Sequence, residues 1–125
     1  MRRYDHIDLR VRSMSEVRRF YETLLPALGF DEEVEIDGWL QYRAKSPEGV
    51  GEFFGIIESP THQANESRIA FWVGTPGDVD RLASIVAEAG AQRIEGPAFE
   101  EPDYYAVFFE DPSGNRFEVC HRTSQ

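Results

Sequence analysis

Ile7, Leu9 and Val11 alternate with His6, Asp8, Arg10 and Arg12, the two-residue period of a strand with one face on a core. The spacing then changes. Val17, Phe20, Tyr21, Leu24, Leu25 and Leu28 recur at i, i+3, i+4, i+7, i+8 and i+11, one apolar stripe of an amphipathic helix. Ser13 with Glu16 three residues later supplies a capping-box start, and Pro26 and Gly29 supply the end. Strands are then predicted over Phe30 to Ile36, Trp39 to Arg43 and Glu52 to Ile57. The hairpin signal Asp37-Gly38 and the turn Ser46-Pro47-Glu48-Gly49 separate them.

The order then starts again after a polar linker from Glu58 to Glu66. Arg68 to Val73 reads as a strand. Thr75 and Pro76 supply a helix cap and first helical residue, with Asp78 three after Thr75. Val79, Leu82, Ile85 or Val86, and Ala89 make the second stripe, and Gly90 closes it. A strand from Gln92 to Ile94, a loop from Glu95 to Asp103, and a hairpin from Tyr104 to His121 complete the half. In the last strand Arg116, Glu118 and Cys120 share one face, and Phe117, Val119 and His121 the other. Laid on each other, the halves match strand for strand, with His6 on Arg68 and Ser46-Pro47-Glu48-Gly49 on Asp111-Pro112-Ser113-Gly114. The expected fold class is α+β: eight strands and two long helices, with Phe20, Leu24, Val79 and Leu82 buried.

A chain of 125 residues is one domain's worth. A formal net charge of −10 makes the nucleic-acid backbone and anionic membrane surfaces poor partners. The lone cysteine, Cys120, excludes an internal disulfide framework and fits a reducing compartment. The N-terminus runs into the first strand with no apolar signal core, and no run approaches membrane-span length. The expectation is a soluble cytoplasmic protein. Glu118 is the residue that asks for explanation, because a carboxylate in a half-buried strand needs a cation, a metal or water beside it.

The tandem βαβββ order, the opening Asp5-His6-Ile7 and the run from Pro102-Asp103-Tyr104-Tyr105 through Asp111-Pro112-Ser113-Gly114-Asn115-Arg116-Phe117-Glu118 to His121 resemble the vicinal oxygen chelate (VOC) superfamily. That superfamily includes glyoxalase I, bleomycin-resistance proteins and extradiol dioxygenases. The resemblance implies a single glyoxalase-like domain over residues 1–125. Module one spans about 4–58 and module two about 67–122, with tandem βαβββ modules forming a curved eight-stranded cup with two outer helices. It also implies a homodimer. In metal-dependent members the ligands come from the first and last strand of each module. The corresponding positions here are His6, a residue at or near Phe53 or Phe54, Arg68 and Glu118. His6 and Glu118 match a metal-binding pattern; the phenylalanines and Arg68 depart from it. Glu52 becomes a third ligand only if a bulge shifts the register.

Two functions follow from the resemblance. In one, the protein binds a small organic molecule in the cup between its modules and its metal site is degenerate. Arg68, Trp72, Tyr105, Phe53 and Phe54 then contact the ligand, and Arg68 pairs bidentately with Glu118 in place of an ion. In the alternative, the protein is a divalent-metal-dependent lyase or isomerase of the lactoylglutathione lyase type. There His6 and Glu118 hold Zn, Ni, Mn or Fe, and Glu118 is also the catalytic carboxylate. Whether the chain is an enzyme stays open at this level. The plainer readings are a His6 that is only a polar strand residue, a Glu118 that only pairs with a neighbour, and a Cys120 that is only a small buried side chain.

Overall fold

The computed structural model describes residues 2–123. Contacts divide the chain into two compact units, one ending at His62 and the other beginning at Gln63. Module one holds strand β1 (His6–Val11), helix α1 (Met14–Ala27), and strands β2 (Glu32–Ile36), β3 (Trp39–Ser46) and β4 (Gly49–Glu58). Module two holds β5 (Arg68–Trp72), α2 (Pro76–Glu88), β6 (Gln92–Glu101), β7 (Tyr104–Glu110) and β8 (Arg116–Arg122). Each module is one four-stranded sheet, ordered β1-β4-β3-β2 and β5-β8-β7-β6. The first strand runs parallel to the last, and the remaining pairs are antiparallel.

Both helices obey the stripes. Val17, Phe20, Tyr21, Leu24 and Leu25 are buried from α1, and Val79, Leu82, Ala83 and Val86 from α2. Both end in the same device. In α1 the Gly29 and Phe30 amides donate to the Pro26 and Leu25 carbonyls, at 3.0 and 2.9 Å. In α2 the Gly90 and Ala91 amides donate to the Ala87 and Val86 carbonyls, at 3.4 and 2.9 Å. Gly29 and Gly90 sit at φ +102° and +100°, the left-handed position that a Schellman C-cap requires. Pro26 falls in the last turn, where the helix is ending.

The N-termini differ. The Thr75 hydroxyl accepts from the Asp78 amide at 3.1 Å, the capping expected. Ser13 makes no such bond. Its hydroxyl lies 3.0 Å from that of Ser15, and the Met14 amide donates instead to the Glu58 carboxylate at 2.9 Å. A carboxylate from the end of β4 thus serves the helix start that the serine was expected to serve.

One element departs from expectation more widely. The stretch read as a loop from Glu95 to Asp103 is strand as far as Glu101. This strand contains Gly96-Pro97, and β6 is the edge of its sheet, where a proline and irregular pairing are tolerated. Three register shifts against β7 absorb them.

The hairpin between β7 and β8 is organised by Asp111, a fully buried carboxylate. Its Oδ1 accepts from the Ser113 and Asn115 amides at 2.7 and 2.9 Å, and its Oδ2 accepts from Asn115 Nδ2 at 3.0 Å. That turn fixes Glu110 opposite Arg116 and Phe108 opposite Glu118. With the register set, the two-residue period decides which side chains face α2 and which lie on the other, open face.

Candidate functional site

On the open face of module two, register places Arg116, Glu118 and Cys120 of β8 beside Arg68, Ala70 and Trp72 of β5. Across the hairpin stand Glu110, Phe108, Ala106 and Tyr104 of β7. Glu118 is only 6% exposed, so it needs a partner inside the protein. That partner is Tyr104, whose hydroxyl donates to Glu118 Oε2. Tyr104 stands opposite Arg122 in register, and the small pair Ala106 and Cys120 lies between it and Glu118. The Arg122 guanidinium carbon sits 3.7 Å from the centroid of the Tyr104 ring, a cation–π contact.

This packing sets the proton chemistry. Burial, and then the carboxylate it donates to, push the Tyr104 phenol up to about 12. Burial, and then the nearby Glu118, push the Cys120 thiol up to about 11. Cys120 is therefore held as a thiol, the opposite of an activated nucleophile.

The expected pairing of Arg68 with Glu118 is corrected. Among the described residues, the ion pairs of module two join Arg81 to Asp78 and Arg93 to Glu110. Arg68 instead lies with its guanidinium carbon 4.8 Å from the centroid of the Phe108 ring. A neutral hydroxyl, rather than a cation, satisfies Glu118.

Of the other residues singled out from the sequence, Trp72 shares the open face by register and is 63% exposed. Its ring centroid is 5.6 Å from that of His121. Tyr105 points the other way, donating its hydroxyl to Asp80 of α2 at 2.6 Å. Phe54 is fully buried, with its ring edge-on to Phe30 at 5.1 Å. Tyr105 thus faces α2, and Phe54 packs against Phe30.

In module one, Phe53 pairs with His6 in register and stacks on it, centroids 4.8 Å apart and planes at 8°. His6 Nδ1 lies 2.8 Å from Asp5 Oδ2, and Nε2 lies 3.6 Å from Asp8 Oδ2. Both imidazole nitrogens thus face carboxylates of their own strand and its approach. Nearby, the Trp39 indole lies over Gly55, and its buried Nε1 has no hydrogen-bond partner.

A divalent ion wants three or more protein ligands. Within each module, no three His, Cys, Asp or Glu side chains among the described residues gather into a group that would hold one. Of the four positions carried over from the sequence, His6 and Glu118 are of ligand type, whereas the phenylalanine position and Arg68 are not.

The residues that sequence reasoning missed are Tyr104 as the partner of Glu118, Arg122 above it, and Phe108 beneath Arg68. The signal was present. Once Glu110 is set opposite Arg116 by the turn, the strand period puts Tyr104 on the face of Glu118 and Tyr105 on the other.

Comparisons with known proteins agree with this architecture. No protein of curated function matches the chain. Among solved structures, a glyoxalase/bleomycin resistance protein from Albidiferax ferrireducens is 25% identical, with a TM-score of 0.77 over 96% of this chain and 98% of that one. The fosfomycin resistance protein FosX from Mesorhizobium loti is 22% identical, with a TM-score of 0.70 over 98% of this chain and 94% of that one. A mutant of FosX from Listeria monocytogenes, complexed with Mn(II) and 1S,2S-dihydroxypropylphosphonic acid, is 18% identical, with a TM-score of 0.67 over 95% of this chain and 89% of that one. The family model for the Glyoxalase/Bleomycin resistance protein/Dioxygenase superfamily matches residues 3–119. With nearly its whole length matched and two βαβββ modules in the expected order, the chain belongs to that superfamily.

Proposed function

We propose that the protein binds a small organic molecule on the open sheet face of module two, with Glu118, Arg68 and Trp72 among its contacts and without a divalent metal. The observation that supports this reading most is the Tyr104–Glu118 hydrogen bond. It satisfies, from within the chain, the carboxylate that a metal-dependent relative would give to an ion. Arg68, at another ligand position, brings a fixed positive charge that disfavours a cation beside it. In the same reading the protein works as a cytoplasmic homodimer.

A second reading is supported by the retention of His6 and Glu118 and by the Mn(II) complex of the Listeria FosX mutant. It makes the chain a divalent-metal-dependent lyase or isomerase of the lactoylglutathione lyase type. Calorimetric titration of the parent and of His6→Ala with Mn²⁺ and Zn²⁺ separates the two. The metal-free reading expects no binding at micromolar affinity to either protein. One equivalent bound by the parent and lost in His6→Ala would establish the metal-dependent reading instead. Sedimentation at micromolar concentration tests the dimer.

A further inference from the structure

One end of the open face of module two carries charges that the Tyr104–Glu118 pair leaves unused. Arg68 on β5 and Arg116 on β8 are register partners in a parallel pair, so their side chains leave the same face from strands about 4.8 Å apart. Like charges placed side by side in this way weaken a sheet. A carboxylate is at hand, for Glu110 stands opposite Arg116 across the hairpin. Yet Glu110 Oε1 lies 3.7 Å from Arg93 Nε, and the described residues include no ion pair for Arg116 or Arg68 among those of module two. In a chain with 23 acidic residues against 13 lysines and arginines, a carboxylate for every arginine would be easy to supply. Two neighbouring guanidiniums left without one point to a partner from outside the chain.

The surroundings fit such a partner. Arg68, Arg93, Arg116, Glu95, Glu110 and Phe108 line a hollow of about 210 Å³. That is smaller than the roughly 300–1,000 Å³ of a drug-sized site. Three arginines against two glutamates leave a single surplus positive charge. The Phe108 ring under the Arg68 guanidinium gives that side chain a flat support, which limits the rotamer freedom lost when it engages a ligand.

We propose that this hollow is an oxyanion subsite, in which Arg68 and Arg116 donate to the carboxylate or phosphoryl group of a small organic ligand. The proposal rests on the reading that the open face of module two binds a small molecule, and it names the chemical class of that molecule. The fork geometry of two guanidiniums suits a planar carboxylate or one face of a phosphoryl group. The net charge of −10 repels anions at a distance, so recognition is local and small polyanions gain little from steering.

The test is an NMR titration of the full-length, isotopically labelled chain with benzoate and with phenylphosphonate, using benzamide as the uncharged counterpart of benzoate. Shifts are followed at the backbone and side-chain resonances of Arg68 and Arg116. The expected result is saturable binding of at least one anion, at least tenfold weaker binding of benzamide, and about a tenfold or greater loss in both Arg68→Gln and Arg116→Gln. The two anions distinguish a carboxylate ligand from a phosphoryl one. Arg116→Gln should keep or raise the parent Tm, because it removes a like-charge neighbour, whereas a purely structural arginine would lower it. Equal affinity for benzoate and benzamide, or parent-like anion affinity in the Arg68→Gln/Arg116→Gln double variant, overturns the subsite. Binding of benzamide without binding of either anion overturns the ligand class and leaves small-molecule binding standing. No saturable binding of any of the three overturns the subsite and counts against the binding reading as well.

Discussion

The two modules share a strand order, a helix stripe and a helix C-cap, and they part at one register position. His6 pairs with Phe53 as Arg68 pairs with Arg116, which sets Gly55 in module one where module two has Glu118. At Gly55 the missing side chain lets the Trp39 indole and Asp8 close over the strand. At Glu118 the side chain stands up from the strand and takes the Tyr104 hydroxyl. The same backbone therefore presents a ring laid on glycine in one module and a carboxylate–phenol pair in the other. Topology is shared; face chemistry is not, and the binding surface is proposed where a polar side chain was kept.

The comparison can be broken most forcefully at Gly55. A Cβ added there would overlap the Trp39 indole nitrogen and come 2.6 Å from Asp8 Oδ1. Overpacking of this kind costs about 1–3 kcal/mol, and the rigid indole puts Gly55→Ala at the upper end. Urea denaturation should show that loss, and Trp39→Ala in the same chain should recover part of it. A Gly55→Ala protein as stable as the parent would mean that the indole does not pack on the glycine.

In module two the matching change is Tyr104→Phe. It leaves a buried carboxylate without its donor, at about 1–3 kcal/mol. Combining it with Glu118→Gln should cost less than the two single changes added together, and a double-mutant cycle measures the difference. An additive result would separate Tyr104 from Glu118 energetically.

The same pair sharpens the comparison through pH. Tyr104 is raised from the ordinary phenol value of 10.0 to about 12 in the fold. The folded protein then holds a proton that the unfolded chain releases, so this contribution is fully present below pH 10 and is lost as pH rises towards about 12. Ultraviolet titration of tyrosinate should show a late-ionising phenol that Tyr104→Phe removes, and alkaline destabilisation should become shallower in that variant. A Tyr104 that ionises at pH 10 would contradict the buried hydrogen bond.

The smallest contrast lies at the helix starts. Thr75→Ala should cost about 1 kcal/mol, as caps of this type do, because the hydroxyl accepts from Asp78. Ser13→Ala should cost less than half of that, since Ser13 caps nothing and Glu58 holds the Met14 amide. Thermal denaturation of the two variants side by side reads the difference.

These contrasts also mark what the sequence discloses. The helix stripes and both C-cap glycines follow from spacing alone, because burial and left-handed φ depend on local pattern. The capping of α1 does not, because Glu58 arrives from 44 residues away. Glu95 to Asp103 reads as a loop, and only sheet order reveals β6 as an edge strand that tolerates Gly96-Pro97. Alternation separates Tyr104 from Tyr105 without saying which shares the face of Glu118; the Asp111 turn decides that through register. Arg68 reads as the cation for Glu118, yet its guanidinium lies over Phe108, the cross-strand neighbour of Glu118.

The Trp39 ring laid on Gly55 has an optical corollary. The chain holds two tryptophans, one in each module, in unlike settings: Trp39 packed against its own sheet with its Nε1 buried, Trp72 63% exposed. Each module thereby carries its own fluorophore, Trp39 emitting towards the blue and Trp72 towards the red. Replacing either with phenylalanine leaves a chain whose emission follows one module alone, so the melting of the two halves can be recorded separately in the intact protein.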